Sequence, residues 1–259
     1  MLIIEIVGSL KSRWRESIKM TSTRKISLIA GAFYLLTFVS IPILFLYSSV
    51  RAANYIVGPG PDTRVFIGVV LEMIVALAGI GTAVALYPVV KRQNEGVALG
   101  FVGVRTLEAA TIFAGVVTLL SVVALRQAGA GAGALATGQA LVGLHDWIFT
   151  LGQSLFPAVN ALLLGSLLYQ SRLVPRVLPL LGFIGAPLLL ASTLATLFGA
   201  NEYGSALSGL LALPIALWEF SLGVYLVVKG FRAAGLQQLG FMPAPADELQ
   251  QAKDLKRAA

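Results

Sequence analysis

The sequence predicts an all-α, polytopic transmembrane helical bundle, and two observations support this prediction. The chain has 259 residues, of which 57% are hydrophobic and only 12% are charged. A water-soluble core of this size cannot enclose so many apolar side chains. The apolar residues are also gathered into long runs, and a helix needs about 20 residues to cross the roughly 30 Å of bilayer hydrocarbon. The chain is therefore expected to use lipid as its solvent.

Six apolar runs have about this length or more, which predicts a transmembrane domain of six helices over residues 26–228. The runs are Ile26–Tyr47, Val65–Tyr87, Val97–Leu125, Leu141–Tyr169, Val177–Phe198 and Ala206–Val228. Helix is the expected state because a segment in lipid must satisfy its own backbone hydrogen bonds.

Small residues and prolines predict how these helices pack. Gly96 and Gly100, and likewise Ser205 and Gly209, have the small-xxx-small spacing that lets helix backbones approach one another. Several prolines lie within the runs or near their ends and are expected to kink the helices or loosen them locally. They are Pro42, Pro157, Pro179, Pro187 and Pro214.

The basic residues between the runs predict that both termini are cytoplasmic. Lysine and arginine are retained on the cytoplasmic side of membrane helices. With a cytoplasmic amino terminus, fifteen of them fall on that side and only Arg51, Arg64 and Arg126 on the other. Residues 1–25 then form a basic cytoplasmic segment and residues 229–259 a polar cytoplasmic tail. The sequence leaves open whether Met1 or Met20 is the start.

Charge distribution and cysteine content exclude several classes of partner and chemistry. The net charge is +7, but the basic residues do not form a stripe with interleaved aromatics, so no nucleic-acid partner is expected. The chain has no cysteine, which excludes disulfides, thiolate metal sites and thiol nucleophiles. The expected partners are the bilayer and anionic lipid headgroups near the basic N-terminal segment. A homo-oligomer remains open, and the ligand is unknown.

The most informative residues are the ionisable side chains within the apolar runs. An unpaired charge in the membrane costs about 2.5–3.5 kcal/mol, so these side chains are expected to face one another in a single interior cluster. They are Glu72, Arg105, Glu108, His145, Asp146 and Glu219.

The fourth predicted helix adds a polar stripe to this cluster. Asp146, Thr150, Gln153 and Asn160 follow at i, i+4, i+7 and i+14, which puts them within a narrow arc of the helix. The stripe extends about 21 Å along the axis and should look into the bundle.

The excess of carboxylates favours binding or transport of a proton, a cation or a small polar solute. Four carboxylates stand against one arginine and one histidine, so the interior is acidic unless some carboxylates hold protons. Two alternatives remain open. The chain could be a membrane scaffold or regulator whose buried polar residues are structural, or an intramembrane, lipid-directed enzyme using His145 and Asp146.

Catalytic, metal and cofactor sites are not expected. A zinc or di-metal hydrolase usually needs two or three histidines, and His145 is the only one in the chain. Ser154 follows His145 by nine helical residues, about 13 Å along the axis, which is too far for a nucleophile and its base. The sequence also contains no Walker A loop or dinucleotide fingerprint.

Five stretches have a recognisable order and spacing. They are Gly31–Thr37, Arg105–Ala109, Leu144–Phe149, Leu167–Arg176 with Leu181 and Gly182 beyond, and Glu219–Gly230. Together they resemble the bacterial integral membrane family catalogued as domain of unknown function 4386, over about residues 24–232. Tyr225 departs from the family pattern, which more often has tryptophan there. The resemblance implies a six-helix protein of the bacterial inner membrane, and it implies no activity.

Overall fold

The computed structural model describes residues 22–58, 61–202 and 204–243, a part of the chain that is mainly helical and contains no β-strand. Five of its helices are long and apolar enough to cross a membrane. They are α3 (Thr63–Val90), α4 (Glu95–Gln127), α5 (Leu135–Ser171), α6 (Val177–Leu197) and α7 (Ala206–Val228). The helix α1 covers residues 22–36, and the short helices are α2 (Ile43–Leu46) and α8 (Ala233–Gln238). The apolar helices expected from the sequence are thus present over the last five runs.

The first apolar run is not one helix, and the expectation of a continuous helix there is wrong. Helix α1 ends at residue 36, a 3₁₀ turn follows over Thr37–Ser40, and α2 begins only at Ile43. Pro42 explains the break because it has no N–H to donate and its ring conflicts with the carbonyl four residues earlier. That carbonyl, of Phe38, instead accepts from the N–H of Ile41 at 3.2 Å.

Short connections make neighbouring helices antiparallel and give the bundle two different ends. We call the end with the α3–α4 and α5–α6 connections the short-loop end, and the other the long-loop end. Gln93 donates to Gln170 at 3.3 Å, so the two short connections lie side by side. Lys91 and Arg172 are therefore at the same end, as predicted.

Basic residues of the described chain are distributed unequally between the two ends. The long-loop end has Arg51, Arg64 and Arg126. The short-loop end has the larger set, which comprises Arg24, Lys25, Lys91, Arg92, Arg172, Arg176, Lys229 and Arg232.

Glycines allow the helices to approach closely, although not the glycines expected from the sequence. A Cβ on Gly31 of α1 would lie 2.7 Å from the backbone oxygen of Gly223 on α7. A Cβ on Gly209 would meet nothing within 4 Å, and one on Gly100 would make only ordinary contacts with Leu163. The α6–α7 contact is similarly tight, since a Cβ on Gly185 would lie 2.8 Å from the backbone nitrogen of Ile215, whereas the predicted small-residue pairs do not form such contacts.

The half of the bundle towards the short-loop end is filled with apolar side chains. This core includes the buried residues Ala30, Leu86, Ala98, Phe101, Leu164, Leu168, Leu222 and Leu226. Part of the predicted polar tail packs against it, since Leu236 and Leu239 of the segment around α8 are buried there. The Arg92 guanidinium covers the ring of Phe241 at 3.8 Å. Residues 244–259 of that tail lie outside the described residues.

The predicted basic N-terminal segment lies outside the described residues up to residue 21. From the part that follows, Arg24 donates to the carbonyls of Leu226 and Val227 at 2.9 and 2.7 Å. These are among the last carbonyls of α7, where a cation also interacts favourably with the helix dipole. Arg24 thus fastens the beginning of α1 to the end of α7.

Candidate functional site

The polar residues predicted from the sequence turn into the bundle, but the single cluster expected for them is divided in two. We call Arg105, Glu108, Asn160 and Glu219 the mid-span cluster. We call Tyr47, Arg51, Glu72, His145 and Asp146 the His145 cluster. Of these nine residues, Tyr47 and Arg51 were not among the predicted site residues.

The mid-span cluster is organised around the guanidinium of Arg105. Its Nη1 donates to both oxygens of Glu108, at 3.0 and 3.1 Å, and its Nη2 donates to Oε1 of Glu219 at 2.5 Å. Asn160 of α5 donates to Glu108 at 2.7 Å. The exposed fractions of the Arg105, Glu108 and Glu219 side chains are only 4, 9 and 17%. Two carboxylates therefore share one cation in a nearly enclosed site that joins α4, α5 and α7.

Aromatic rings cover the same guanidinium. The centroid of the Tyr34 ring lies 5.5 Å from the Arg105 guanidinium carbon, and that of Phe101 lies at 6.0 Å. Both distances are within the range of cation–π attraction. Tyr34 was not predicted as a site residue, and its only sequence signal is an aromatic ring carrying a hydroxyl in an otherwise apolar run.

A cavity of about 250 Å³ opens beside the mid-span cluster. Arg105, Glu108, Glu219 and Gln153 line it, and the 3₁₀ turn Thr37–Ser40 contributes to its wall. The break in the first segment is thus part of the cavity.

Three buried polar atoms of this region have no hydrogen-bond partner among the described residues. They are Nε of Arg105, Nε2 of Gln153 and Oδ1 of Asn160. Buried polar groups are normally paired, so such atoms require an explanation. Arg105 and Gln153 line the mid-span cavity, so their two donors are available there to a water or to another hydrogen-bond acceptor.

The His145 cluster is a chain of polar contacts that joins Tyr47 and Arg51, which follow α2, to residues of α3 and α5. The Tyr47 hydroxyl donates to Glu72 at 2.9 Å, and Nε2 of His145 lies 3.8 Å from the other oxygen of Glu72. On the opposite side of the ring, Nδ1 lies 3.2 Å from Asp146. Arg51 pairs with the same Asp146 oxygen at 2.5 Å. The buried imidazole therefore bridges two carboxylates.

Two glycines make room for the rings of this cluster. A Cβ on Gly68 would lie 2.4 Å from the ring of Tyr47, and one on Gly115 would lie 3.3 Å from the ring of His145. Gly68 precedes Glu72 by four residues, so both are on the same face of α3. A small residue one turn from a buried carboxylate is a sequence signal that could have indicated a ring there.

Depth along the helices explains why there are two clusters. Glu72 lies nine residues after the beginning of α3, about 14 Å from the long-loop end. Glu219 lies nine residues before the end of α7, about 14 Å from the short-loop end. Counting residues from the ends of the predicted helices would therefore have shown, from the sequence alone, that these two carboxylates lie at different depths.

The stripe on α5 runs between the two clusters, but its members have different roles. Asp146 belongs to the His145 cluster and Asn160 to the mid-span cluster. The Thr150 hydroxyl donates to the backbone oxygen of Asp146 at 2.7 Å, a contact within the helix. Gln153 borders both the mid-span cavity and a small cavity of about 10 Å³ that also touches Glu72 and His145.

A third cavity, of about 300 Å³, lies at the long-loop end. Arg51, Asp146 and Gln139 contribute its polar lining. The His145 cluster is thus exposed to this cavity through Asp146, whose side chain is 25% exposed.

A separate ion pair joins α3 and α4 at the long-loop surface. Arg126 pairs with Asp62, which also accepts from the Tyr55 hydroxyl at 2.6 Å and from Gln127 at 3.0 Å. Burial opposes ionisation of Asp62, but the hydrogen bonds from Tyr55 and Gln127 and the charge of Arg126 outweigh it, so the pKa of Asp62 is lowered. Burial, together with the hydrogen bond to Asp62, raises the pKa of Tyr55 to about 12.

Comparison with known proteins identifies a family. The family model described as "Domain of unknown function (DUF4386)" matches residues 29–230. No curated protein and no solved structure matches the chain. Within the described residues, no group of three or more histidine, aspartate or glutamate side chains is arranged to hold a metal ion.

Proposed function

We propose that this chain, which belongs to the DUF4386 family, binds a small cationic solute in the mid-span cavity as part of a transport function. The family match confirms the resemblance found in the sequence, and the five apolar helices are those of a membrane protein. One observation supports the proposal above the others: a cavity of about 250 Å³ reaches two buried carboxylates near the middle of the helices.

The first segment completes a proposed set of six crossings of the bacterial inner membrane. Arg24 lies beside the end of α7, and the Tyr47 hydroxyl contacts Glu72 in the half of α3 towards the long-loop end. The segment therefore extends through most of the bundle thickness in spite of its break. The excess of basic residues at the short-loop end supports a cytoplasmic location for that end and for both termini.

Charge and size favour a small cation over other solutes. Glu108 and Glu219 share the single charge of Arg105, so the fully ionised cluster has a net charge of −1. The cavity, at about 250 Å³, is far larger than the roughly 10–15 Å³ that a single water requires, so it has room for a small organic ion. A short alkylammonium ion fits this volume and carries N–H donors that suit Glu219, the more exposed of the two carboxylates.

Thermal unfolding of the purified protein in lipid nanodiscs tests this proposal. Ethylammonium should raise the unfolding temperature, and ethanol, which lacks the charge, should not. Glu219→Gln should abolish the ethylammonium effect, whereas the control Glu202→Gln, in the α6–α7 connection, should retain it. The proposal is overturned if ethylammonium has no effect on the wild type, or if Glu219→Gln responds to it unchanged.

A structural role is the second candidate, and the pairing within the mid-span cluster supports it. The contacts of Arg105 and Asn160 tie α4, α5 and α7 together, and interhelical polar contacts of this kind stabilise membrane bundles. In a scaffold or regulator, Glu219→Gln would lower the unfolding temperature, and no small cation would alter it. The thermal experiment therefore separates the two candidates.

We also propose that the chain is not an enzyme. His145 is held between Glu72 and Asp146, an arrangement that suits proton exchange as well as it suits a catalytic base.

We further propose that the basic short-loop end contacts anionic lipid headgroups. The eight described basic residues at this end are at the depth of the headgroups if the helices span the bilayer. Binding to vesicles with and without phosphatidylserine would test the lipid contact.

A further inference from the structure

The imidazole of His145 lies between two cavities of the bundle. On one side, Nδ1 is 3.2 Å from Asp146, which lines the cavity at the long-loop end. On the other side, Nε2 is 3.8 Å from Glu72. Imidazole accepts a proton on one nitrogen and releases one from the other, and it does so near neutral pH. The ring is therefore suited to move protons between its two carboxylate neighbours.

Polar groups continue from Glu72 towards the mid-span cluster. The cavity of about 10 Å³ next to Glu72 has the size of about one water molecule. Glu72, Thr111 and Gln153 lie around it, and these are groups that would hydrogen-bond a water. Gln153 also lines the mid-span cavity, in which Glu219 is found. A polar route thus runs from the long-loop end to Glu219.

No comparable route leads to Glu219 from the short-loop end among the described residues. The interior there is closed by fully buried apolar side chains, such as Leu86, Leu168 and Leu222. A proton does not cross such a layer without water or polar groups to carry it. The mid-span cluster is therefore connected to one end of the bundle only.

We infer that His145 carries protons between the long-loop end and the mid-span cavity, so that the pH at that end controls the charge of the proposed solute site. The inference rests on the proposed function of this site. Asp146 takes a proton from water in the long-loop cavity and passes it to Nδ1 of neutral His145. The imidazolium then releases its Nε2 proton to a water in the small cavity that borders both His145 and Glu72, because Nε2 and the Glu72 oxygen are 3.8 Å apart, too far for a direct hydrogen bond. The water passes the proton on towards Glu219, and His145, which is left with its proton on Nδ1, returns to the starting tautomer by exchanging its protons with water before the next transfer.

The charged groups around His145 are two carboxylates and one guanidinium. Tyr47 and Arg51 face the cluster from the residues that follow α2, Glu72 from α3 and Asp146 from α5 itself. Helix α4 contributes the uncharged Gly115 and Thr111. Two carboxylates favour the imidazolium and only the guanidinium of Arg51 opposes it, so the surroundings stabilise a proton that the ring has taken up.

Trp218, the neighbour of Glu219 in α7, serves as a fluorescent reporter of a change of charge at Glu219. It is buried next to Glu219 in the sequence, and Trp14→Phe/Trp147→Phe leaves it as the only tryptophan. Its fluorescence should change after a rapid pH jump in nanodiscs, and Glu219→Gln should remove the change. His145→Ala in this background should slow the change roughly a hundredfold, since a positioned proton carrier contributes about that much. Added imidazole should restore the rate through the long-loop cavity.

Controls separate proton transfer from a structural role. Ser154→Ala, also on α5, should leave the rate unchanged. His145→Ala should keep its response to ethylammonium, because that variant leaves Glu219 in place. An unchanged rate in His145→Ala, a slowed rate that imidazole does not restore, or a Trp218 signal that does not respond to pH would each overturn the inference. The proposed solute binding would then stand or fall on the thermal experiment alone.

Discussion

Arg105 on α4 and Glu219 on α7 form an ion pair of 2.5 Å that connects helices more than one hundred residues apart in sequence. The same guanidinium also holds Glu108. One cation therefore compensates two buried carboxylates, and removing the cation should harm the fold more than removing either carboxylate.

Arg105→Met should lower the free energy of unfolding by about 3–5 kcal/mol, because it leaves two carboxylates buried without a cation. Adding Glu108→Gln and Glu219→Gln to this variant should recover much of the loss, since no buried charge then remains. Denaturant unfolding in detergent micelles would measure both. The exposed Arg64 supplies the control, and Arg64→Met should change the stability by less than about 0.5 kcal/mol. Equal stabilities for the two single variants would contradict this account of the cluster.

Gly68→Ala should destabilise the protein by about 1–3 kcal/mol, the usual cost of forcing a side chain into a packed site. Its Cβ would lie 2.4 Å from the Tyr47 ring, which would have to leave Glu72. Gly103→Ala is the matched control within a helix, because a Cβ there meets nothing within 4 Å. That control should be neutral or stabilising, since alanine is the better helix former. Thermal unfolding compares the two, and a Gly68→Ala protein as stable as the control would show that the ring adjusts freely.

Much of this fold could be predicted from hydropathy, and the reason is physical. In lipid, an apolar run of sufficient length has few alternatives to helix, so α3 to α7 were expected near their observed positions. The desolvation cost of charge likewise predicted that Glu72, Arg105 and Glu108 turn inwards. The break at Pro42 could not be predicted by this argument, because prolines such as Pro157 and Pro187 lie inside helices that continue through them.

The partners of the buried groups could not be predicted in the same way. Asp146 pairs with Arg51, and Arg51 follows the broken first segment, whose course no periodicity describes. Tyr47 reaches Glu72 only because Gly68 leaves space for its ring. Such contacts depend on where a segment leaves regular helix, which local sequence patterns do not determine.

The topology can be tested with single cysteines, because the chain has none of its own. Ala130→Cys, in the exposed α4–α5 connection, should react with a membrane-impermeant maleimide in intact bacteria. Lys91→Cys and Arg176→Cys, at the short-loop end, should react only after the membrane is permeabilised. This outcome follows from retention of basic flanks in the cytoplasm. Labelling of Lys91→Cys in intact cells would reverse the proposed orientation, and labelling of only one of the two short-loop variants would contradict the bundle.

The ion pair of Asp62 should make stability depend on acidic pH. The folded protein lowers the pKa of Asp62, so the folded state favours the ionised carboxylate and gains stability from it. This gain is fully present above the ordinary carboxyl pKa of about 3.9 and is lost as pH falls through the lower pKa of the folded state. Asp62→Asn should therefore unfold at a lower temperature than the wild type at pH 6, with a difference that shrinks below about pH 4. A difference independent of pH would mean that the charge of Asp62 contributes nothing.

The close contact between α1 and α7 should not tolerate larger side chains. A Cβ on Gly31 would lie 2.7 Å from the backbone oxygen of Gly223, and a backbone atom cannot move aside without shifting the helix. Gly31→Val should therefore separate the two helices and weaken the bonds from Arg24 to the last carbonyls of α7. Gly209→Val should have little effect, although Gly209 has the spacing of a packing motif, because its Cβ position is open. Protease sensitivity and unfolding temperature would rank the two variants, and the opposite order would show that spacing in the sequence, rather than the observed approach of the backbones, determines where these helices pack.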